Sequence, residues 1–177
     1  VEGTTTAALA AGGGPGSGKN IVEEWNGTSW AETTDLNTVR ANAGGGGAVS
    51  TAAIVAAGIT TPSEAQTANT EIWDGSSWTE LNDLNSAQYG IGGTGTQTAA
   101  LGIGGYSEPF RAFTQDWNGV SWQEVGDLNT ARQPAGEAGT STLALATGGA
   151  LPPDGSANSN ATEEWSPGKT IKTIDTD

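Results

Sequence analysis

Trp25-Asn26-Gly27-Thr28-Ser29-Trp30 returns as Trp73-Asp74-Gly75-Ser76-Ser77-Trp78 and again as Trp117-Asn118-Gly119-Val120-Ser121-Trp122. Asn-Gly and Asp-Gly between short Thr- and Trp-rich runs are hairpin signals, because Gly accepts the positive φ that a tight reversal demands. The register follows from pleating. A two-residue turn would pair Trp25 with Thr28 and send the two tryptophans to opposite faces of the sheet. A four-residue loop pairs Trp25 with Trp30 on one face as a cross-strand aromatic pair. We expect the four-residue loop, because one core then buries both rings. Each indole can bury roughly 200 Å², an upper bound of about 5 kcal/mol per ring.

The hairpin belongs to a longer repeat. Trp25, Trp73, Trp117 and Trp165 are spaced by 48, 44 and 48 residues, and Trp30, Trp78 and Trp122 follow the first three at an offset of five. A small-residue apolar strand precedes each Trp of the first series: Ala7–Ala10, Ala52–Val55, Ala99–Gly102 and Leu143–Ala146. These strands end in Gly12-Gly13, Ala57-Gly58, Gly104-Gly105 and Gly148-Gly149. A period of 44–48 residues fits a four-stranded propeller blade or a helix pair. Dense Gly and turn formers leave no long helical stripe, so each unit reads as four short strands. Units fall at approximately 1–36, 37–84, 85–128 and 129–177. The expected fold is all-β: a propeller of about four blades of four short antiparallel strands, the first blade lacking one strand upstream of Val1. Residues 169–174 alternate cleanly and supply the fourth outer strand.

Composition narrows the function. With 177 residues, 20 acidic and 6 basic side chains give a formal charge of −14. Six scattered cations form no phosphate-binding stripe, so no nucleic-acid partner is expected, nor an anionic membrane surface. No apolar run approaches the roughly 20 residues of a membrane span, and no signal peptide opens the chain. The chain has no Cys, His or Met. That removes thiolate sites, the usual general base and the commonest metal ligand. The missing start Met points to a processed chain or a piece of a longer one.

Order along the unit resembles the kelch repeat. Gly104-Gly105, Trp117, Trp122, Leu128 and Arg132 follow the kelch sequence of glycine pair, aromatic strand, Trp strand, hydrophobic plug and Arg. Gly58, Trp73, Trp78, Leu84 and Gln88 do likewise, with Ala57 in place of one glycine and Gln88 in place of Arg. The resemblance implies a kelch-like β-propeller. Kelch-type rings more often have six or seven blades, so closure would draw on upstream chain, a partner subunit or oligomerisation. The Thr/Ala/Gly-rich copies also resemble repeats in large bacteriophage virion proteins, which implies a tail fibre, head fibre or adhesin segment at the virion surface, outside the cell.

Several motifs admit a chemical reading beside a structural one. Gly12–Lys19 faintly resembles a P-loop, but Asn20 stands where Ser or Thr should hold magnesium, and a hairpin rather than a helix follows. Glu23-Glu24 and Glu163-Glu164 are adjacent on strands and point to opposite faces, unlike a glycosidase pair, which shares one cleft. Asp35-Leu36-Asn37, Asp83-Leu84-Asn85 and Asp127-Leu128-Asn129 offer calcium-type oxygens, yet turn closure explains them, with the Leu plugging inward. Arg40, Gln88 and Arg132 are expected to bond loop carbonyls between units. No catalytic residue, cofactor or metal is assigned.

The loops Gly14–Asn20, Ile59–Asn69, Tyr106–Phe113 and Ala150–Asn160 vary while the scaffold repeats, and all should emerge on one face. Tyr106, Phe110, Arg111 and Phe113 are the candidate ligand-binding residues, since aromatics and Arg are favoured in recognition sites. The competing reading is that Phe110 and Phe113 tuck under their own loop. The expected function is non-enzymatic: a propeller presenting recognition loops to a host-surface receptor or glycan. The alternatives are a purely structural fibre or decoration subunit, assembling with itself or other virion subunits, and more remotely a carbohydrate-active enzyme.

Overall fold

The computed structural model describes residues 2–14, 19–60, 62–167 and 172–174. Among them there is no helix, and four antiparallel sheets are arranged as a four-blade β-propeller. Blade 1 is β1 (Glu2–Gly3), β2 (Ala8–Gly13), β3 (Lys19–Trp25) and β4 (Trp30–Glu32), followed by the short connector β5 (Arg40–Ala41). Blade 2 opens with β6 (Gly44–Val49) and β7 (Ala52–Ala56); its loop forms a small hairpin, β8 (Ile59–Thr60) and β9 (Ala65–Gln66); β10 (Thr70–Trp73) and β11 (Trp78–Leu81) complete it. Blade 3 is β12 (Gly92–Thr96), β13 (Ala99–Ile103), β14 (Thr114–Trp117) and β15 (Trp122–Glu124). Blade 4 is β16 (Gly136–Gly139), β17 (Ala144–Leu151), β18 (Ala157–Trp165) and β19 (Lys172–Ile174).

The innermost strand expected to be missing from blade 1 is present as a two-residue stub. Glu2 pairs with Leu9 and Gly3 with Ala8, which needs so little chain that no sequence pattern marks it. In blade 4, Lys172–Ile174 pairs with Thr162–Glu164 as the outer strand; residues 169–171 of the expected strand lie outside the described residues.

The innermost strands are glycine-rich because neighbouring backbones touch there. A Cβ on Gly93 would lie 2.2 Å from the Gly45 carbonyl oxygen of the adjacent blade, a contact no side chain survives. One strand further out, small residues make room for indoles: Ala8, Ala53, Ala100 and Ala144 stand directly opposite Trp25, Trp73, Trp117 and Trp165.

The hairpin register is the expected one. Trp25 pairs with Trp30, Trp73 with Trp78 and Trp117 with Trp122, with ring centroids 5.7, 5.3 and 5.4 Å apart. The turns close locally. Asn26 Oδ1 accepts from the Thr28 and Ser29 amides, Asp74 Oδ1 from Ser76 and Ser77, and Asn118 Oδ1 from Val120 and Ser121. Bonds from both serines draw the exposed Asp74 carboxyl down from 3.8 to about 2.

The apolar clusters bridge neighbouring blades. Leu9, Val22 and Leu36 of the first unit pack with Trp73 and Trp78 of the next. Ile54 and Leu84 pack with Trp117 and Trp122, and Leu101 and Leu128 with Trp165. The three triplet leucines are buried plugs, as expected.

Candidate functional site

Each blade reverses between its second and third strands, and in an antiparallel blade these four connections share one end of the propeller. Residues 15–18 of the first connection, and with them the body of the P-loop-like segment, lie outside the described residues. The second folds as the β8–β9 hairpin. Much of the fourth is not a loop: β17 and β18 stay paired out to Leu151 and Ala157 past an irregularity between Thr147 and Gly149.

The third connection carries the candidate residues. Gly104 and Gly105 leave β13 at φ of +61° and +113°. The Gly104 amide donates to Phe113 O and the Gly105 amide to Arg132 O, each at 2.8 Å, so the loop base is pinned at both sides. Tyr106 exchanges both backbone bonds with Tyr89, at 2.8 and 3.0 Å. Their rings lie 5.2 Å apart, and Phe110 meets Tyr106 edge-on at 5.0 Å. Arg111 lies 5.3 Å above the Phe113 ring, and its Nε donates to Ser107 Oγ.

These four residues do not share one exposure. Phe110 is buried, and a Cβ on Gly155 of the blade 4 loop would sit 3.3 Å from its Cζ. It is an anchor between two loops. Tyr106, Arg111 and Phe113 are half-buried.

Through Tyr89 this aromatic row reaches the mouth of the central cavity. A recess of about 270 Å³ is lined by Asn42, Tyr89, Gln133 and Glu137 among others. It shares Asn42, Ile91 and Glu137 with the central cavity, about 650 Å³, whose other walls are mostly Gly, Ala and Thr. Burial, and secondarily the neighbouring Tyr106 and Glu108, push the Tyr89 hydroxyl above its usual range, so it stays a neutral donor. Aromatic faces beside amides and a carboxylate suit stacking on a ligand with hydrogen bonds at its edge. Among the described residues no lysine or arginine lines the recess, and this favours a neutral ligand over an anion.

Tyr89, Asn42 and Gln133 were missed in the sequence because they sit in blade connectors, not in variable loops. A signal existed: the residue after Arg40, Gln88 and Arg132 is Ala41, Tyr89 and Gln133 in turn, different in each unit.

The repeated acids are structural in two blades. Buried Arg40 donates to Ala57 O at 3.1 Å, Asn69 O at 2.9 Å and the Glu71 carboxylate, which also accepts from the Asn37 and Thr38 amides. Buried Arg132 donates to Ala161 O and to Glu163, which accepts the Asn129 amide. Arg40 and Arg132 therefore bond loop carbonyls, but within the unit that each opens rather than between neighbouring units, and the carboxylate partner was not foreseen. Gln88 is a correction. It is fully buried, but neither side-chain polar atom has a partner. Being shorter than Arg, it does not bond the loop carbonyls, and its counterpart across the junction is Gln115, which accepts the Asn85 amide at 3.0 Å.

No family model matches the chain, and no curated protein does. Among solved structures, the structure of YjhT is similar in fold, with a TM-score of 0.69 at 12% identity, over 89% of this chain and 53% of that one. The chain thus spans about half the length of that structure. At this identity the likeness concerns the propeller fold alone.

Proposed function

We propose that this chain is a non-enzymatic, kelch-like recognition module of a bacteriophage virion surface, in a tail fibre, head fibre or adhesin. Its loop face takes a neutral host glycan. One observation carries the recognition reading: the Tyr89–Tyr106–Phe110 row, pinned to the scaffold by paired backbone bonds, ends at an uncharged-to-acidic mouth. Rigid aromatics ordered before binding lose little entropy on contact. Arg111 over Phe113 extends the same shelf. The virion assignment rests on the Thr/Ala/Gly-rich copies around the Trp hairpins.

The test is binding of the purified chain to a broad glycan array and to whole bacterial cells. The reading expects a specific hit that is lost when residues 106–113 are replaced by Gly and Ser. Binding that survives the replacement would refute the site. Hydrolysis of a host polysaccharide by the purified chain would return it to the enzymes.

A further inference from the structure

The position two residues before the first Trp is Glu23, Glu71, Gln115 and Glu163 in turn, acidic in three of the four units. The last three are buried, with 0–1% exposure, and each accepts from the Asp-Leu-Asn turn of the preceding blade. Glu23 is exposed. The second Trp repeats the contrast. Trp78 and Trp122 are 6–7% exposed, and their Nε1 atoms donate back to the preceding unit, to Thr34 O at 3.1 Å and Thr70 Oγ1 at 2.9 Å. Trp30 is 43% exposed, and Ile21 on the neighbouring strand β3 is 40% exposed. Among the described residues its indole has no hydrogen-bond partner.

We propose that this face of blade 1 is an acceptor for the clamp edge of a further blade of the same repeat, one presenting an Asp-Leu-Asn-x-x-Arg turn. The Arg would pair with Glu23, the Asn amide would donate to the same carboxylate, and the Leu would plug against Trp30. The internal junctions supply the geometry: in each, the clamp residue stands four positions before the innermost strand, as Arg40 before Gly44, Gln88 before Gly92 and Arg132 before Gly136. Charge supplies the complementarity, since Glu23 lies across from Glu32 and no cation faces it among the described residues. A second copy of this chain is a poor occupant, because all three of its triplets already serve its own blades. The inference goes beyond the recognition reading and does not depend on it.

The experiment duplicates residues 92–136 directly ahead of Val1, which places the copied Arg132 four residues before the copied Gly136. Acrylamide quenching of Trp30, read as the difference from a Trp30→Phe chain, should fall several-fold, as its exposure drops from 43% towards the 6–7% of Trp78 and Trp122. Glu23→Ala should then lower the Tm of the grafted chain by about 5 °C or more, yet shift the ungrafted chain by no more than about 1 °C. A graft that leaves Trp30 quenchable, or docks without regard to Glu23, overturns the proposal. So does an ungrafted chain that dimerises through Trp30. Independently of any graft, Glu23→Ala in the natural chain must be far milder than Glu71→Ala; equal losses would mean that Glu23 is already clamped.

Discussion

Replacing Arg40 by alanine removes the cation from a site with no water access. Its side chain is 0% exposed, as is Glu71. Burial pulls the guanidinium pKa below its ordinary value, and the adjacent Glu71 charge works against that pull. Alanine would leave the Glu71 carboxylate with only the Asn37 and Thr38 amides, and strip a donor from Ala57 O and Asn69 O. Breaking a buried ion pair from one side costs about 3–5 kcal/mol, most of it the penalty of the charge left behind. For a chain of this size that is about 6–20 °C in Tm. The attribution can be separated from mere truncation. In the double variant Arg40→Ala with Glu71→Ala, no charge is stranded, so the total loss should fall short of the sum of the singles by about 2 kcal/mol or more. The assay is urea unfolding followed by tryptophan emission, with matched m-values. Additive singles, or an Arg40→Ala loss below about 1 kcal/mol, would refute the clamp as the element that joins blade 1 to blade 2.

Three further outcomes follow from the same geometry. Gln88→Arg alone buries a cation beside Gln115 and should destabilise by several kcal/mol, about 3 or more; adding Gln115→Glu completes the pair seen at the other junctions and should recover most of the loss, as thermal unfolding will show. Gly93→Ala sets a Cβ 2.2 Å from Gly45 O, so soluble yield and Tm should both fall, whereas Gly126→Ala, which meets nothing within 4 Å, should be nearly neutral. The folded pKa of Asp74 is depressed to about 2, so what its charge adds to stability is present above the unfolded value of 3.8 and is lost as pH falls towards 2. Asp74→Asn, which copies the neutral turns at Asn26 and Asn118, should flatten that part of the acid limb in a pH series of Tm values.

The local repeat was readable because its determinants are local. The spacing of Trp25 and Trp30 dictates which residues pair, and an Asx side chain satisfies two amides inside its own turn. Ala8 and Ala53 opposite tryptophans follow from the same register. What escaped is tertiary. A glutamate two residues before Trp is the same letter whether it is clamped, as Glu71, or exposed, as Glu23. Only the neighbouring blade distinguishes them. Gln88 looked like a shorter Arg and proved to be a buried amide without partners. Within the candidate site, Tyr106 and Arg111 lie half-exposed on the loop face, while Phe110 is an anchor, since the loop bends it under Tyr106 and against Gly155. Tyr89, in the connector ahead of blade 3, entered the site through backbone pairing with Tyr106, a contact that the repeat spacing does not mark.

The most direct test of the recognition account is a glycan array probed with the wild-type chain and with a Tyr89→Ala, Tyr106→Ala chain, each at low and high salt. A mouth without cations predicts neutral-glycan hits that are insensitive to salt, because screening weakens only charge-driven contacts, and that vanish in the double variant. Hits confined to anionic glycans and weakened by salt, or hits that persist without the two tyrosines, would contradict it.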